Sequence, residues 1–204
     1  MSEDRILLGL TGLYCAGKNF VGGILEKKGF AVLDVDKLGH AAVENQKNII
    51  AERFGVGVFG QDGMVDRRAL GEAVFGRPEE LAALESIVHP EVNKLTLEWV
   101  DSNRDRSRVV NAALLHRSVM FDRLDALILV KAPCLLRLLR ARKRDGLSWK
   151  ELRRRFKSQR FDVYYYGKKA DIYCIYNWGF GVFSRLNRHC LEKRVDTILN
   201  ILRG

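Results

Sequence analysis

Gly12-Leu13-Tyr14-Cys15-Ala16-Gly17-Lys18-Asn19 sets two glycines and a lysine in the spacing G-x-x-x-x-G-K. Glycines let backbone N–H groups curl around phosphate oxygens without a Cβ in the way, and a helix N-terminus behind them favours negative charge. Lys18 can then reach the outer phosphates of a nucleotide. The motif ends on Asn19, where a Ser or Thr hydroxyl ordinarily ligates Mg²⁺; that ion also accepts a carbonyl oxygen, so the Asn19 amide is a candidate ligand. Cys15 sits near a helix N-terminus, where a thiol pKa can be lowered. A small residue that fits a tight loop is the plainer reading of Cys15.

Two further groups could complete phosphoryl chemistry. Asp34 and Asp36 end a strand-like segment, and a carboxylate there could take the proton of an attacking hydroxyl or hold Mg²⁺ through water. On a continuing strand, residues i and i+2 share a side, so both acids could serve one site. The alternative is a strand-end turn in which Asp36 merely caps the next helix. The second group is cationic: Arg137, Arg140, Arg142, Lys143 and Arg144, then Lys150, Arg153, Arg154, Arg155, Lys157 and Arg160. Arginine forks suit phosphate oxygens, and a helical lid could carry them in. Most of these charges must be solvated surface. Arg140 and Arg144, at i and i+4, share a helical face and are the chosen pair.

The elements around these residues follow from periodicity. Residues 6–10 are an unbroken apolar run, as in a strand buried on both faces of a parallel sheet. A helix is expected over 18–28, a strand over 30–33, further strands over 109–113, 126–130 and 170–176, and a closing helix over 183–202. Residues 40–103 lack a central strand and read as helices, with Asp66 as an N-cap and a break at His89-Pro90. Ser148 should cap a helix over 149–160. The expected fold is α/β: a three-layer, doubly wound fold with a five-stranded parallel sheet. Its core covers about residues 1–39, 106–135 and 165–204, with a helical insertion over 40–105 and a basic lid over 136–164.

A chain of 204 residues suits one domain with an insertion, and a charge of +10 calls for anionic partners without naming their class. No apolar run approaches the roughly 20 residues of a membrane span. The acidic start Met1-Ser2-Glu3-Asp4-Arg5 does not resemble a secretory signal. Cys15, Cys134, Cys174 and Cys190 are scattered, as expected of reduced thiols in a cytoplasm.

Taken in order, the motifs resemble the dephospho-CoA kinase family. The phosphate loop matches, as does Leu33-Asp34-Val35-Asp36 with His40 following. So do Asp62-Gly63-Met64-Val65-Asp66-Arg67-Arg68-Ala69-Leu70-Gly71 with Val74-Phe75, and Leu84-Glu85-Ser86-Ile87-Val88-His89-Pro90. Arg140, Arg144-Asp145-Gly146-Leu147-Ser148, Gln159 and Ala170-Asp171 through Asn177 complete the series. The middle runs are far more specific than the loop. The resemblance implies a P-loop kinase fold whose helical insertion over 40–105 covers the acceptor, phosphorylation of the dephospho-CoA 3′-hydroxyl by ATP with Mg²⁺, and small-molecule partners without nucleic acid or membrane. It assigns Asp36, Lys18 and Arg144 to catalysis. Gly12, Cys15, Ala16, Gly17, Lys18, Asn19, Phe20, Arg140 and Asn177 are expected at ATP, and Asp34, Asp36, His89 and Leu114 at the acceptor. The chain departs from the family where D-x-P-L-L-x-E becomes Asn111-Ala112-Ala113-Leu114-Leu115-His116-Arg117. With Asn19, these departures leave open a weakened homologue that only binds CoA-like ligands; a nucleoside or nucleoside monophosphate acceptor is the other kinase reading, and the runs over 62–75 and 84–90 argue against it. A nucleic-acid binder using the basic segment would instead show tight, salt-dependent binding.

Overall fold

Strand β1 (Leu7–Gly12) lies at the centre of a five-stranded sheet, flanked by β3 (Arg108–Asn111) and β4 (Ala126–Lys131), with β2 (Ala31–Asp34) and β5 (Ile172–Tyr176) at the edges. Every pairing is parallel. The computed structural model describes residues 5–158, 171–179 and 184–204. Gln159, Arg160, Tyr164-Tyr165-Tyr166 and the expected first residues of the last strand and closing helix lie outside them. β1 outlasts its apolar run because Thr11 and Gly12 still pair with Leu129 and Val130 of β4.

Both faces of the sheet are covered, which is why its strands read as continuous apolar runs. On one face Leu8, Leu10, Ile128 and Val130 pack with Val21, Ile24 and Leu25 of α1 (Lys18–Lys27) and with Leu191, Val195 and Ile198 of the closing helix, Ser184–Arg203. On the other face Leu115, Leu124 and Leu127 close over Gly9; a Cβ there would stand 2.6 Å from two of them. The chain leaves β1 for β2, returns to β3 between them, and then crosses to β4. The strand order therefore reverses beside β1, and ligands of open α/β sheets bind outside the carboxyl strand ends at such a point.

Residues 35–102 form a separate compact unit of helices. It holds α2 (Val35–Asn45), α3 (Lys47–Phe54), α4 (Arg67–Val74) and α5 (Pro78–Ser102) around Ile50, Val58, Leu70 and Val74. Asp66 caps α4 as expected, accepting from the N–H groups of Arg68 at 2.8 Å and Ala69 at 3.3 Å. Pro90 does not break α5, contrary to the sequence expectation: the helix runs unbroken for 25 residues. An interior proline costs about 3 kcal/mol or more, and tertiary anchors on both sides offset it. Before Pro90, Leu84 and Ile87 pack on the unit's core. Just after it, buried Glu91 accepts from Asn45 Nδ2 at 2.8 Å and Gln46 Nε2 at 3.3 Å.

The remaining helices are α6 (Cys134–Asp145) and α7 (Trp149–Ser158), which belong to the sheet unit; the closing helix is α8. Gly146 at φ 65° ends α6. Ser148 and Glu151 open α7 with a capping box: Ser148 N and Oγ donate to Glu151 Oε2 at 2.9 and 2.6 Å, and Glu151 N returns a bond to Ser148 Oγ at 3.4 Å. Among the described residues no helix is long and apolar enough to cross a membrane.

Candidate active site at the phosphate loop

Residues 13–17 turn sharply out of β1 and open α1. Ala16 N donates to Leu13 O at 2.9 Å, and Cys15 takes a left-handed φ of 58°. Gly17, at φ 101°, is the N-cap of α1, and among the described residues no side chain caps that end. The loop thus leads into a helix N-terminus, where negative charge is favoured. Gly12 must lack a side chain, since a Cβ there would lie 2.5 Å from Val130 O. Lys18 is the first residue of α1 and Phe20 is partly exposed in its first turn, with the Arg188 guanidinium 5.3 Å over its ring.

Arg140 reaches the loop from behind. One of its terminal nitrogens donates to Cys15 O at 3.2 Å and Ala16 O at 3.3 Å. The other meets Asn177 O at 3.1 Å, Asn177 Oδ1 at 3.0 Å and Gly179 O at 2.6 Å. Asn177, buried just past β5, donates from Nδ2 to Ala16 O at 2.9 Å while its Oδ1 also accepts from Asn187 Nδ2 at 3.0 Å. Burial lowers the Arg140 pKa, and its fork is spent on protein oxygens that shape the loop. Arg140→Lys keeps the charge but cannot satisfy these acceptors together. Leaving buried acceptors unpaired costs about 1–3 kcal/mol, so ATP affinity should fall by about 5- to 150-fold, with a lower melting temperature; calorimetric titration and thermal melts would read both.

Arg144, the other chosen arginine, is held differently. Its Nε and one terminal nitrogen bind Asp145 Oδ1 and Oδ2 at 2.7 and 3.1 Å, and its guanidinium lies 5.1 Å from the Tyr14 ring centre. It shows the carboxylate the same two-pronged face that it would show a phosphate.

Burial pushes the Cys15 thiol pKa up, against the pull of Arg144, Arg140, Arg137 and Arg155. The helix terminus does not make it reactive. At neutral pH its thiolate fraction is small, so alkylation should be slower at Cys15 than at exposed Cys134 and Cys190. Peptide mass spectrometry after timed iodoacetamide treatment would check this; fastest labelling at Cys15 would contradict it.

The carboxyl ends of β2 and β3 carry Asp34 and Asn111 in register, beside Asn19 of α1. Asn111 Nδ2 donates to Asn19 Oδ1 at 2.9 Å, and Asn19 Nδ2 donates to Asp34 Oδ2 at 3.3 Å. The amide oxygen expected to ligate Mg²⁺ is thus engaged by Asn111. Asp34 Oδ1 and Asn111 Oδ1 are instead buried without a hydrogen-bond partner among the described residues, and Asn111 is only 2% exposed. Two unpartnered oxygens fit a hard cation such as Mg²⁺. Leu114, half exposed, follows β3.

The two acids do not lie on one strand as expected. β2 stops at Asp34, and Asp36 stands exposed in the first turn of α2, so strand alternation does not relate them. His89 is an exposed mid-helix residue of α5 rather than a residue at a helix break. Tyr14 and Asp145 stand in the sequence motifs without a role of their own, and Asn187 in none, since nothing in local spacing ties a loop tyrosine to a residue 131 positions later.

A family model described as dephospho-CoA kinase matches residues 6–169. A curated dephospho-CoA kinase from Thermus thermophilus is 38% identical over 158 residues, 78% of this chain and 77% of that protein. A solved structure from the same species matches with TM-score 0.78 and 33% identity, covering 98% of this chain and 99% of the other. A dephospho-CoA kinase structure from Campylobacter jejuni matches at TM-score 0.65 and 25% identity, with 95% and 97% covered.

Proposed function

This chain belongs to the dephospho-CoA kinase family, and we propose on that premise that it transfers the γ-phosphate of ATP to the ribose 3′-hydroxyl of dephospho-CoA, giving CoA and ADP. The observation that carries the donor side is the uncapped start of α1 behind Gly17, with Lys18 at its head. Its N–H groups and the lysine receive the β- and γ-phosphates. Arg144, braced by Asp145 and turned toward the loop tyrosine, meets the phosphoryl oxygens with its guanidinium and stabilises the charge that develops on them. Asp36, by its match to the family's D-x-D, takes the proton of the attacking hydroxyl.

Mg²⁺, when bound, neutralises charge on the β- and γ-oxygens. Asp34 Oδ1 and Asn111 Oδ1 are the oxygens that would hold it, directly or through its waters. The unit of residues 35–102 serves the acceptor and the basic pair α6–α7 serves as lid. Four free cysteines suit a reducing, cytoplasmic setting. A coupled assay of ADP release with Mg²⁺·ATP should show turnover with dephospho-CoA and little with a panel of nucleosides and nucleoside monophosphates. No turnover of dephospho-CoA alone would sink the reading.

A further inference from the structure

Tyr14 occupies a loop position where the chemistry of phosphate binding asks only for backbone, yet its side chain meets both helices of the basic pair. Its hydroxyl donates to Asp145 Oδ2 at the end of α6 and accepts from Arg155 of α7 at 3.3 Å. Its ring meets Phe156 of α7 edge-on at 5.6 Å and underlies the Arg144 guanidinium. Asp145 is mostly buried, 19% exposed, and also lies 3.8 Å from Arg155. Phe156 in turn lies under the Arg137 guanidinium at 4.8 Å. A single side chain of the phosphate loop thus joins an acid and two arginines from two helices.

We propose that Tyr14 is a positioning residue: its hydroxyl fixes Asp145, and Asp145 with the Tyr14 ring holds Arg144 in place for the phosphoryl group. The inference rests on the kinase reading for the use to which Arg144 is put, but not for the existence of the anchor. Without the hydroxyl, Asp145 keeps Arg144 but is no longer tied to the loop. The arginine then samples positions from which it cannot meet the transferring phosphoryl. Misplacement of a group that acts in the transition state lowers kcat more than it raises KM. The loop backbone, held by Arg140 and Asn177, is untouched.

The test is Tyr14→Phe, which deletes the hydroxyl and keeps the ring, set in a double-mutant cycle with Asp145→Asn. Tyr14→Phe should lower kcat about tenfold with KM for ATP little changed. The double variant should be no worse than the worse single, since both changes cut one connection. Limited trypsin digestion without substrate supplies a readout independent of turnover: cleavage at the α6–α7 arginines should quicken in Tyr14→Phe. Unchanged kcat and unchanged cleavage, or kcat losses that multiply in the double variant, would overturn the anchor. Failure of the wild type to phosphorylate dephospho-CoA would count against the proposed function instead, while the digestion still decides the anchor.

Discussion

Replacing Asp36 with asparagine is expected to lower dephospho-CoA turnover by about 10²–10⁴-fold, the range a positioned general base contributes. Asparagine keeps the shape of the side chain but cannot take up the hydroxyl proton. Asp36 stands exposed in the first turn of α2, where a negative charge is worth about 0.3–1 kcal/mol to the helix. Stability should therefore fall by no more than that, and thermal melts will separate the two effects. ATP affinity should be unchanged, because the proposed seat of the donor phosphates is α1 and the loop. A variant that keeps its kcat would remove Asp36 from the chemistry.

Gly17→Ala should cost the chain its nucleotide. An alanine Cβ would stand 2.1 Å from Asn177 Nδ2, and the backbone there is at φ 101°. Left-handed strain costs of order 1–3 kcal/mol. Displacing Asn177 forfeits its bond to Ala16 O and disturbs Arg140, whose charge-assisted bonds are worth about 1.5–3 kcal/mol. Together these come to about 2.5–6 kcal/mol, against roughly 2.7 kcal/mol for a 100-fold loss, so ATP binding measured by calorimetry should weaken about 100-fold or more. Gly23→Ala is the internal control. It lies within the same helix, nothing among the described residues comes within 4 Å of a Cβ there, and alanine in a helix interior gains about 0.5–1 kcal/mol over glycine. Equal damage from both substitutions would refute the steric argument.

The features legible in the sequence are those that local chemistry dictates. The glycine spacing of residues 12–17 places the loop because close approach to phosphate requires it. Asp66 and Ser148 announce α4 and α7 because a cap is a bond to the next three residues. Buried parallel strands show as apolar runs. What escaped detection depends on partners distant in the chain. Pro90 stays helical because Asn45 and Gln46 hold Glu91, and a proline signal alone carries none of that. A helix starts at Val35 directly after β2, so the two acids of Leu33-Asp34-Val35-Asp36 fall in different elements. Arg140 read as an arginine for phosphate oxygens; only the carbonyls it meets mark it as the loop's support. Asn19 looked like a substitute ligand because its neighbour Asn111 is 92 residues away.

The bond from Asn177 Nδ2 to Ala16 O joins residues 161 apart. During synthesis at about 5–20 residues per second, the first strand and helix exist for roughly ten to thirty seconds before that asparagine is made. Over that interval the loop lacks both its strut and the atoms that hold Arg140 against it. ATP is abundant around a growing chain, yet it has no finished seat on one. Ligand stabilisation thus arrives only after β5 has joined the sheet, and nucleotide retention on stalled ribosomal chains would report completion of the whole core rather than of its first turn.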